Sequence, residues 1–200
     1  MEFGTFSILA ISSDSKMMGV AVASGSTSVG DRVPHAKPGI GVIATQAFTN
    51  VAYGTRGLEL LTKGMAPKDV LKKLLDEDLG RELRQVAIMD FKRRRAVFTG
   101  ASVPEWHGEI VKEDYIVIGN LLAGKNVVSS IAEEFERVEG DLAFKMAKAL
   151  EAGSESGGDK RGERSAALIL VNQETVKVKV DEHETPISEL IHRLETLEKR

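Results

Sequence analysis

The apolar positions at the start of the chain form short runs that predict β-strands. Residues 6–11, 18–23 and 40–44 are apolar, partly β-branched, and bounded by Gly, Ser, Asp or Pro. The polar cluster at 12–16 makes the first connection a turn, which is too short to hold a crossover helix. The pattern therefore predicts that the first two strands pair as an antiparallel hairpin.

Apolar residues at helical spacing predict two helices after these strands. The first covers 55–63 and ends at Gly64, a typical C-terminal cap. Pro67 suits the first turn of the second helix, whose apolar positions between 70 and 75 form one face. We expect this second helix to cover the sheet that contains the first hairpin.

The rest of the chain follows the same alternation of paired strands and paired helices. The predicted elements are strands at 85–90, 96–99 and 115–118, helices around 127–135 and 142–150, a Gly-rich loop at 154–162, a hairpin of 166–171 and 175–180, and a helix at 187–197. Strands linked by short turns exclude a regular alternation of parallel strands and helices. The sequence therefore predicts one domain over 1–200 with an α+β fold, a four-layer αββα sandwich of two mostly antiparallel sheets between helical layers.

Composition narrows the classes of function. With 200 residues and a net charge of −3, the chain lacks the basic surface that phosphate binding needs, so we expect no nucleic-acid partner. The run Lys92–Arg95 is the exception, and its place between two strands favours a solvated turn over a nucleic-acid contact. The absence of cysteine excludes disulfides, thiolate metal sites and a Cys nucleophile.

Targeting signals and membrane spans are not predicted. No basic segment followed by an apolar stretch marks a secretory signal, and no apolar run is long enough for a membrane span. We therefore expect no membrane contact and a cytoplasmic location. Sparse Asn and Gln beside abundant Lys, Arg and Glu hint at a heat-adapted source.

Common cofactor and metal motifs are missing from the sequence. It has no P-loop, no Gly-rich dinucleotide fingerprint and no G-x-S-x-G elbow, and its histidines lack zinc-helix spacing. The segment 181–184, which contains His183, offers either metal ligands or a solvated strand end, and we favour the strand end. The sequence predicts neither a cofactor nor a metal.

The remaining candidate chemistry lies at the start of the first strand, where Gly4 precedes Thr5. A Thr hydroxyl needs a base to attack a carbonyl group, and a chain-terminal Thr carries one in its own α-amine, whose pKa is roughly 7.7–8.0. Local residues alone also fit an ordinary Thr at the start of a strand.

Motifs spread over nearly the whole chain resemble a known family. The sequence is similar to the domain of unknown function 1028 family, placed in the N-terminal nucleophile (Ntn) hydrolase superfamily, and the first strands are distantly similar to proteasome β subunits, where Gly-Thr marks a self-processing site. The residues that carry the resemblance are 4–8, 18–24, 41–47, 53–61, 98–100, 119–124, 157–162, 165–168, 180–181, His183 and Pro186.

The resemblance implies an Ntn-type amidohydrolase that acts on a small amide or peptide-like substrate. Relatives begin Met-Thr-Phe-Ser-Ile, whereas here Glu2, Phe3 and Gly4 precede Thr5, so a free Thr5 requires cleavage of the Gly4–Thr5 bond. Proteasome-type sites also hold a lysine near the nucleophile. No lysine follows Ser24, and Lys37 or Arg32 is the expected substitute.

The matched polar residues are the other candidates for the site. We assign Ser24, Thr45 and Asn120 to catalysis with Thr5; Thr45 and the adjacent Gln46 either donate to an oxyanion or cap a loop, and Asn120 either contacts substrate or occupies a turn.

Gln46, Asp159, Arg161 and Ser165 are assigned to substrate binding. The Arg161 guanidinium either binds a substrate carboxylate or pairs with Asp159 to hold the loop. Trp106 and His107 are further candidates for the lining of a pocket.

A non-catalytic Ntn-fold scaffold or small-molecule-binding protein is the alternative function. One fold serves both enzymes and assembly subunits, so the resemblance alone does not decide between them. A homo-oligomer is a further expectation from the resemblance.

Overall fold

The structure is a computed structural model that describes residues 4–198. Glu2 and Phe3, two of the residues that precede Thr5 where relatives have only Met, lie outside these residues. Within them the chain forms ten strands and five α-helices. The strands β1 to β10 are Thr5–Ile11, Met18–Ser24, Pro34–Lys37, Gly41–Ala47, Arg84–Asp90, Arg95–Thr99, Gly108–Val111, Tyr115–Asn120, Ser165–Val171 and Thr175–Val180. The helices α1 to α5 are Ala52–Thr62, Pro67–Asp76, Asn126–Arg137, Leu142–Glu155 and Pro186–Glu198.

The strands form two antiparallel sheets. The larger sheet has six strands in the order β10-β9-β2-β1-β8-β7, and the smaller has four in the order β3-β4-β5-β6. Strands β1 and β2 pair antiparallel with Phe6 opposite Ala23, which confirms the predicted hairpin. Strand β1 lies at the centre of the larger sheet, between β2 and β8. Its first residue, Thr5, pairs with Asn120 of β8, and pairing with β2 begins at the next residue, Phe6.

Three apolar layers hold the elements together. Helices α3, α4 and α5 pack on one face of the larger sheet, where Phe6 and Ile8 point. The other face, with Leu9 and Ile11, packs against the smaller sheet. Helices α1 and α2 cover the outer face of the smaller sheet, around Ile43. The order helix, sheet, sheet, helix confirms the predicted four-layer α+β sandwich.

The predicted position of the helix around residues 70–75 is wrong. This helix, α2, packs on the smaller sheet with Val86 and Ile88 of β5, whereas α3, α4 and α5 cover the sheet of the first hairpin. An apolar helical face fits either sheet, and the short connection from α2 to β5 keeps the helix beside the strand that follows it. The sequence pattern also missed β3 and β7, two four-residue strands at sheet edges.

A partly buried carboxylate joins the smaller sheet to its helices. Asp78, between α2 and β5, accepts hydrogen bonds from Arg84 Nε at 2.8 Å, Tyr53 Oη at 2.9 Å and Gly80 N at 2.8 Å. Its side chain is 12% exposed. The Arg84 guanidinium, with these other donors, holds the pKa of Asp78 well below its ordinary value. Burial and the adjacent Asp78 carboxylate raise the pKa of Tyr53.

We expect Asp78→Asn to lower the free energy of unfolding at neutral pH by roughly 1.5–3 kcal/mol, the usual value for hydrogen bonds to a charged group. Because the folded-state pKa is depressed, this stabilisation is present above the unfolded pKa of about 3.9 and is lost as the pH falls further. Urea unfolding at several pH values checks this, since the difference between wild type and variant should shrink below about pH 4.

Asp76→Asn is the matched control, because Asp76 pairs with Lys72 on the exposed surface of α2. Its unfolding midpoint should stay close to that of the wild type. Equal effects of the two substitutions would contradict the role given to the hydrogen bonds of Asp78.

Candidate functional site

Polar side chains replace the apolar layer between the two sheets at one end of the larger sheet. Thr5 begins β1 opposite Asn120 at the end of β8, and Ser24 ends β2 opposite Ser165 at the start of β9. Side chains alternate along a strand, so Thr5 lies on the same face as Ser7 and Leu9, between the sheets. All of these polar residues are buried, and Thr5 is 4% exposed.

The carbonyl oxygen of Gly4, the acceptor half of the Gly4–Thr5 peptide bond, is surrounded by donors. Ser24 Oγ lies 2.6 Å from it, Thr5 Oγ1 2.5 Å and Arg161 Nη2 3.1 Å. Thr5 Oγ1 also lies 3.1 Å from Ser24 Oγ. The N–H of Ser26 donates to Ser24 Oγ, which leaves the Ser24 proton for the carbonyl oxygen. Two hydroxyls and a cation therefore converge on this one peptide group.

A buried carboxylate and its guanidinium form the wall beside Gly4. The Asp159 side chain is fully buried, and Arg161 donates to it from Nε at 3.0 Å and from Nη2 at 2.7 Å. The backbone N–H of Gly25 donates to Oδ2, and the N–H of Arg161 donates to Oδ1. Arg161 therefore forms an ion pair with Asp159 and also reaches the Gly4 carbonyl oxygen.

An amide network from the smaller sheet supports the other side of Thr5. Gln46 Nε2 donates to the carbonyl oxygen of Thr5 at 3.1 Å and to Gln85 Oε1 at 2.8 Å, while Ser7 Oγ donates to Gln46 Oε1 at 2.6 Å. Asn120 Nδ2 donates to the same Gln85 oxygen at 3.1 Å. These bonds cross the space between the sheets and fix the backbone at the start of β1.

One acceptor of this network has no donor. Among residues 4–198, Asn120 Oδ1 is a buried oxygen without a hydrogen-bond partner. Reversing the amide would not help, because its Nδ2 side already faces acceptor oxygens of Gln85 and Thr5. A buried polar atom without a partner costs stability, so its presence in a native structure calls for an explanation.

The structure brings most of the predicted site residues together but places Thr45 elsewhere. Thr45 lies next to Gln46 on β4, so its side chain points to the opposite face of the smaller sheet, where Oγ1 lies 3.2 Å from the carbonyl oxygen of Asn50. Ser165 Oγ donates to the carbonyl oxygen of Ser26 and accepts from Val29 N, so it holds the loop after Ser24.

The expected cationic substitutes near Thr5 also lie outside the site. Lys37 is exposed and donates to Thr62 Oγ1, and Arg32 donates to the carbonyl oxygen of Thr27. Arg161 is the cation that contacts the Gly4–Thr5 peptide group.

Other segments singled out in the sequence lie at the surface. Lys92, Arg93 and Arg94 lie in the predicted turn between β5 and β6, where Arg94 pairs with Asp90 at 2.7 Å, and Arg95 begins β6. His183 Nδ1 accepts from Thr185 N at the end of β10. Trp106 packs against the layer under α3 to α5, and His107 lies 3.6 Å from Glu105.

Residues 4–198 contain no candidate metal site and no candidate membrane span. No cluster of His, Asp or Glu side chains there has an arrangement that would hold a metal ion. None of the helices in that range combines the length and the apolar character needed to cross a bilayer.

Sequence reasoning missed Ser7, Gln85 and Glu163. Glu163 accepts from the N–H of Asp159 and from Ser154 Oγ, so it steadies the loop that carries the buried carboxylate. The signal for Ser7 and Gln85 is a polar residue within an apolar alternation, since the positions two residues later, Leu9 and Ala87, face the layer between the sheets.

Comparisons with known proteins bear on the fold and family. A family model described as "Family of unknown function (DUF1028)" matches residues 5–190. The crystal structure of protein SPO2555 from Silicibacter pomeroyi, described with the same family model, has a TM-score of 0.91 and 29% identity, over 96% of this chain and 85% of that chain. No curated protein sequence matches this chain.

A second solved structure is much less similar. Anbu (ancestral beta-subunit) from Yersinia bercovieri has a TM-score of 0.44 and 11% identity, over 97% of this chain and 95% of that chain. A likeness this low supports no argument about this protein.

We expect Arg161→Lys to lower the free energy of unfolding by roughly 1–3 kcal/mol. A single ammonium cannot reproduce the two side-chain bonds to Asp159 and still reach the Gly4 carbonyl oxygen. Thermal unfolding measures the change. Arg164→Lys is the control, because Arg164 and its partner Glu182 are more than half exposed and a lysine can replace that pairing. If Arg161→Lys had the melting temperature of the wild type, the planar guanidinium group of Arg161 would not be needed for stability.

Proposed function

The chain belongs to the DUF1028 family of unknown function, and we propose that it is an Ntn-type amidohydrolase whose nucleophile is Thr5. Cleavage of the Gly4–Thr5 bond would free the Thr5 amine, and the substrate would be a small amide or peptide-like molecule. The observation that carries this proposal is the convergence of Thr5 Oγ1, Ser24 Oγ and Arg161 on the Gly4 carbonyl oxygen.

The contacts support a self-cleavage in two steps. In the first step Thr5 Oγ1 attacks the carbonyl carbon of Gly4 and passes its proton to Ser24 Oγ, while Ser24 shifts its own proton towards the Gly4 oxygen. That proton is then transferred to the amide nitrogen as the C–N bond breaks. The product is an ester between Gly4 and the Thr5 side chain, with a free amine on Thr5. In the second step water hydrolyses the ester, which leaves a carboxylate on Gly4 and restores the Thr5 hydroxyl.

Ser24 and Arg161 would stabilise the charge that this attack creates. Negative charge develops on the Gly4 oxygen when the carbonyl carbon becomes tetrahedral. The Ser24 hydroxyl at 2.6 Å and the Arg161 guanidinium at 3.1 Å already donate to that oxygen. Preformed donors of this kind typically contribute factors of about 10²–10³ each to a rate.

The freed amine would then serve as the general base for an external amide. An amide nitrogen is not a base, whereas an α-amine with a pKa of roughly 7.7–8.0 accepts a proton near neutral pH. Asn120 lies opposite Thr5, and its Oδ1 lacks a donor within the described residues. We assign this oxygen to the new N–H groups of Thr5, and Gln46 to holding the Thr5 backbone in place.

The roles of the remaining predicted residues follow from their contacts. Asp159 orients Arg161, and Arg161 binds the carbonyl oxygen of the substrate in place of the carboxylate suggested by the sequence. Ser165 positions the loop that carries Ser26, whose N–H donates to Ser24. Thr45 has no part in this proposal, since its side chain faces the helices.

A non-catalytic scaffold is the second candidate. Burial of Thr5 and the full engagement of Asp159 are the observations in its favour, because both suit a structure held closed. The scaffold requires no bond cleavage, so the chemical state of the Gly4–Thr5 bond separates the two candidates.

We expect the purified protein to show cleavage between Gly4 and Thr5, and Thr5→Ala to abolish it, because the attacking oxygen is removed. Thr5→Ser should retain cleavage, and Ser24→Ala should slow it by about 10²–10³ through loss of one donor to the oxyanion. Intact mass and N-terminal sequencing over time measure the reaction. Thr175→Ala, an exposed threonine that begins β10, is the control and should cleave as the wild type does.

The same proteins should be assayed against a panel of small amides, together with a chain produced with Thr5 as its first residue. Cleavage or amide hydrolysis that persists in Thr5→Ala would overturn the mechanism. If the wild type stays intact and the chain beginning at Thr5 hydrolyses no amide, the scaffold is the better description.

A further inference from the structure

Gly4 occupies a space that has no room for a side chain. A Cβ atom built on Gly4 would lie 2.4 Å from Asp159 Oδ2, 2.7 Å from Oδ1 and 2.7 Å from Cγ. Real Cβ contacts are essentially never this short, so either the Gly4 backbone or the Asp159 carboxylate would have to move. Glycine is therefore required here by close approach to the carboxylate group.

The Asp159 carboxylate cannot easily move away. Its oxygens accept from Gly25 N, from the backbone N–H of Arg161, and from the Arg161 guanidinium. Its own N–H donates to Glu163, and its backbone forms a bridge with Leu122. A short side chain held in this way acts as a rigid wall.

We propose that the space filled by Gly4 is the binding site of the substrate's acyl group. The substrates would then be amides of glycyl groups, whose α-carbon carries no side chain. This inference rests on the proposed function, in which Thr5 attacks the substrate. Thr5 Oγ1, Ser24 and Arg161 stay in place when Gly4 departs, because β1, β2 and the loop around 161 hold them. A substrate carbonyl group must meet the same three groups, so its α-carbon takes the position of Gly4.

The wall at Asp159 then selects the substrate. An L-alanyl group would direct its Cβ at the carboxylate, as a Cβ on Gly4 does. The α-nitrogen is free to carry a further group, since in the chain itself Gly4 is linked to residue 3 through that atom. The substrate class is therefore an N-substituted glycyl amide, including peptides cut after glycine.

Paired substrates test this inference on the processed protein. N-acetylglycyl and N-acetyl-L-alanyl p-nitroanilides differ by one methyl group at the α-carbon. We expect kcat/KM to favour the glycyl compound by roughly ten- to a hundredfold, the usual effect of overpacking a rigid site. Within the chain, Gly4→Ala should slow self-cleavage by a similar factor. Gly124→Ala should cleave as the wild type does, because a Cβ there meets nothing within 4 Å.

A double-mutant measurement of stability adds a readout that does not depend on activity. Both melting comparisons use the Thr5→Ala chain, in which the Gly4–Thr5 bond stays intact. In that chain Gly4→Ala should lower the melting temperature, and it should lower it less when Asp159→Ala removes the carboxylate.

The outcomes separate this inference from the proposed function. Equal rates for the glycyl and alanyl anilides, or equal self-cleavage of Gly4→Ala and wild type, would contradict the proposed binding position of the acyl group. If these reactions still require Thr5, the assignment of Thr5 as the nucleophile stands. Activity that survives Thr5→Ala overturns the proposed nucleophile itself. No cleavage and no hydrolysis of either anilide by the chain beginning at Thr5 overturns both.

Discussion

A carboxylate that is fully removed from water must be neutralised and hydrogen-bonded, and Asp159 is such a group. Its requirements determine the conformation of the loop between α4 and β9, because the partners come from Arg161 in the same loop and from Gly25 after β2. The same guanidinium reaches the Gly4 carbonyl oxygen. One electrostatic requirement thus places the loop, the end of β2 and the start of β1 in a single arrangement.

The position of β1 explains why the polar cluster stays ordered. Strand β1 lies between β2 and β8 and is buried on both faces, by α3 and α4 on one side and by the smaller sheet on the other. Polar groups in such a layer remain only where they bond to one another. Gln46 of the smaller sheet bonds to Thr5 and Ser7 of the larger sheet, and Gln85 donates to the carbonyl oxygen of Gly119, so the two sheets are joined at this end by hydrogen bonds as well as by apolar packing.

Much of the fold could be predicted from the sequence, because strands buried on both faces appear as apolar runs and helices show their own period. Strands β3 and β7 could not, since four-residue edge strands contain too few positions to show alternation. The site was predictable where polar residues end apolar runs, as at Ser24 and Asn120. The contact between Gly4 and Arg161 could not be predicted, because these residues are 157 positions apart in the sequence. The alternation of side chains along a strand places Thr45 and Gln46 on opposite faces of β4, but only the pairing of the strands shows which of the two faces the site.

In the proposed function, Thr5 would become a chain end while its side chain and backbone stay in a buried strand. The ends of most domains fray, so a group placed there samples many positions and must lose that freedom before it can react. Here the pairing with Asn120 of β8 and the contact with Ser24 of β2 hold the residue before any bond is cut. The entropy needed to position a reactive amine here is therefore lost during folding, and it would not have to be lost again at each turnover. A terminus created at this position would be as immobile as the interior of the sheet.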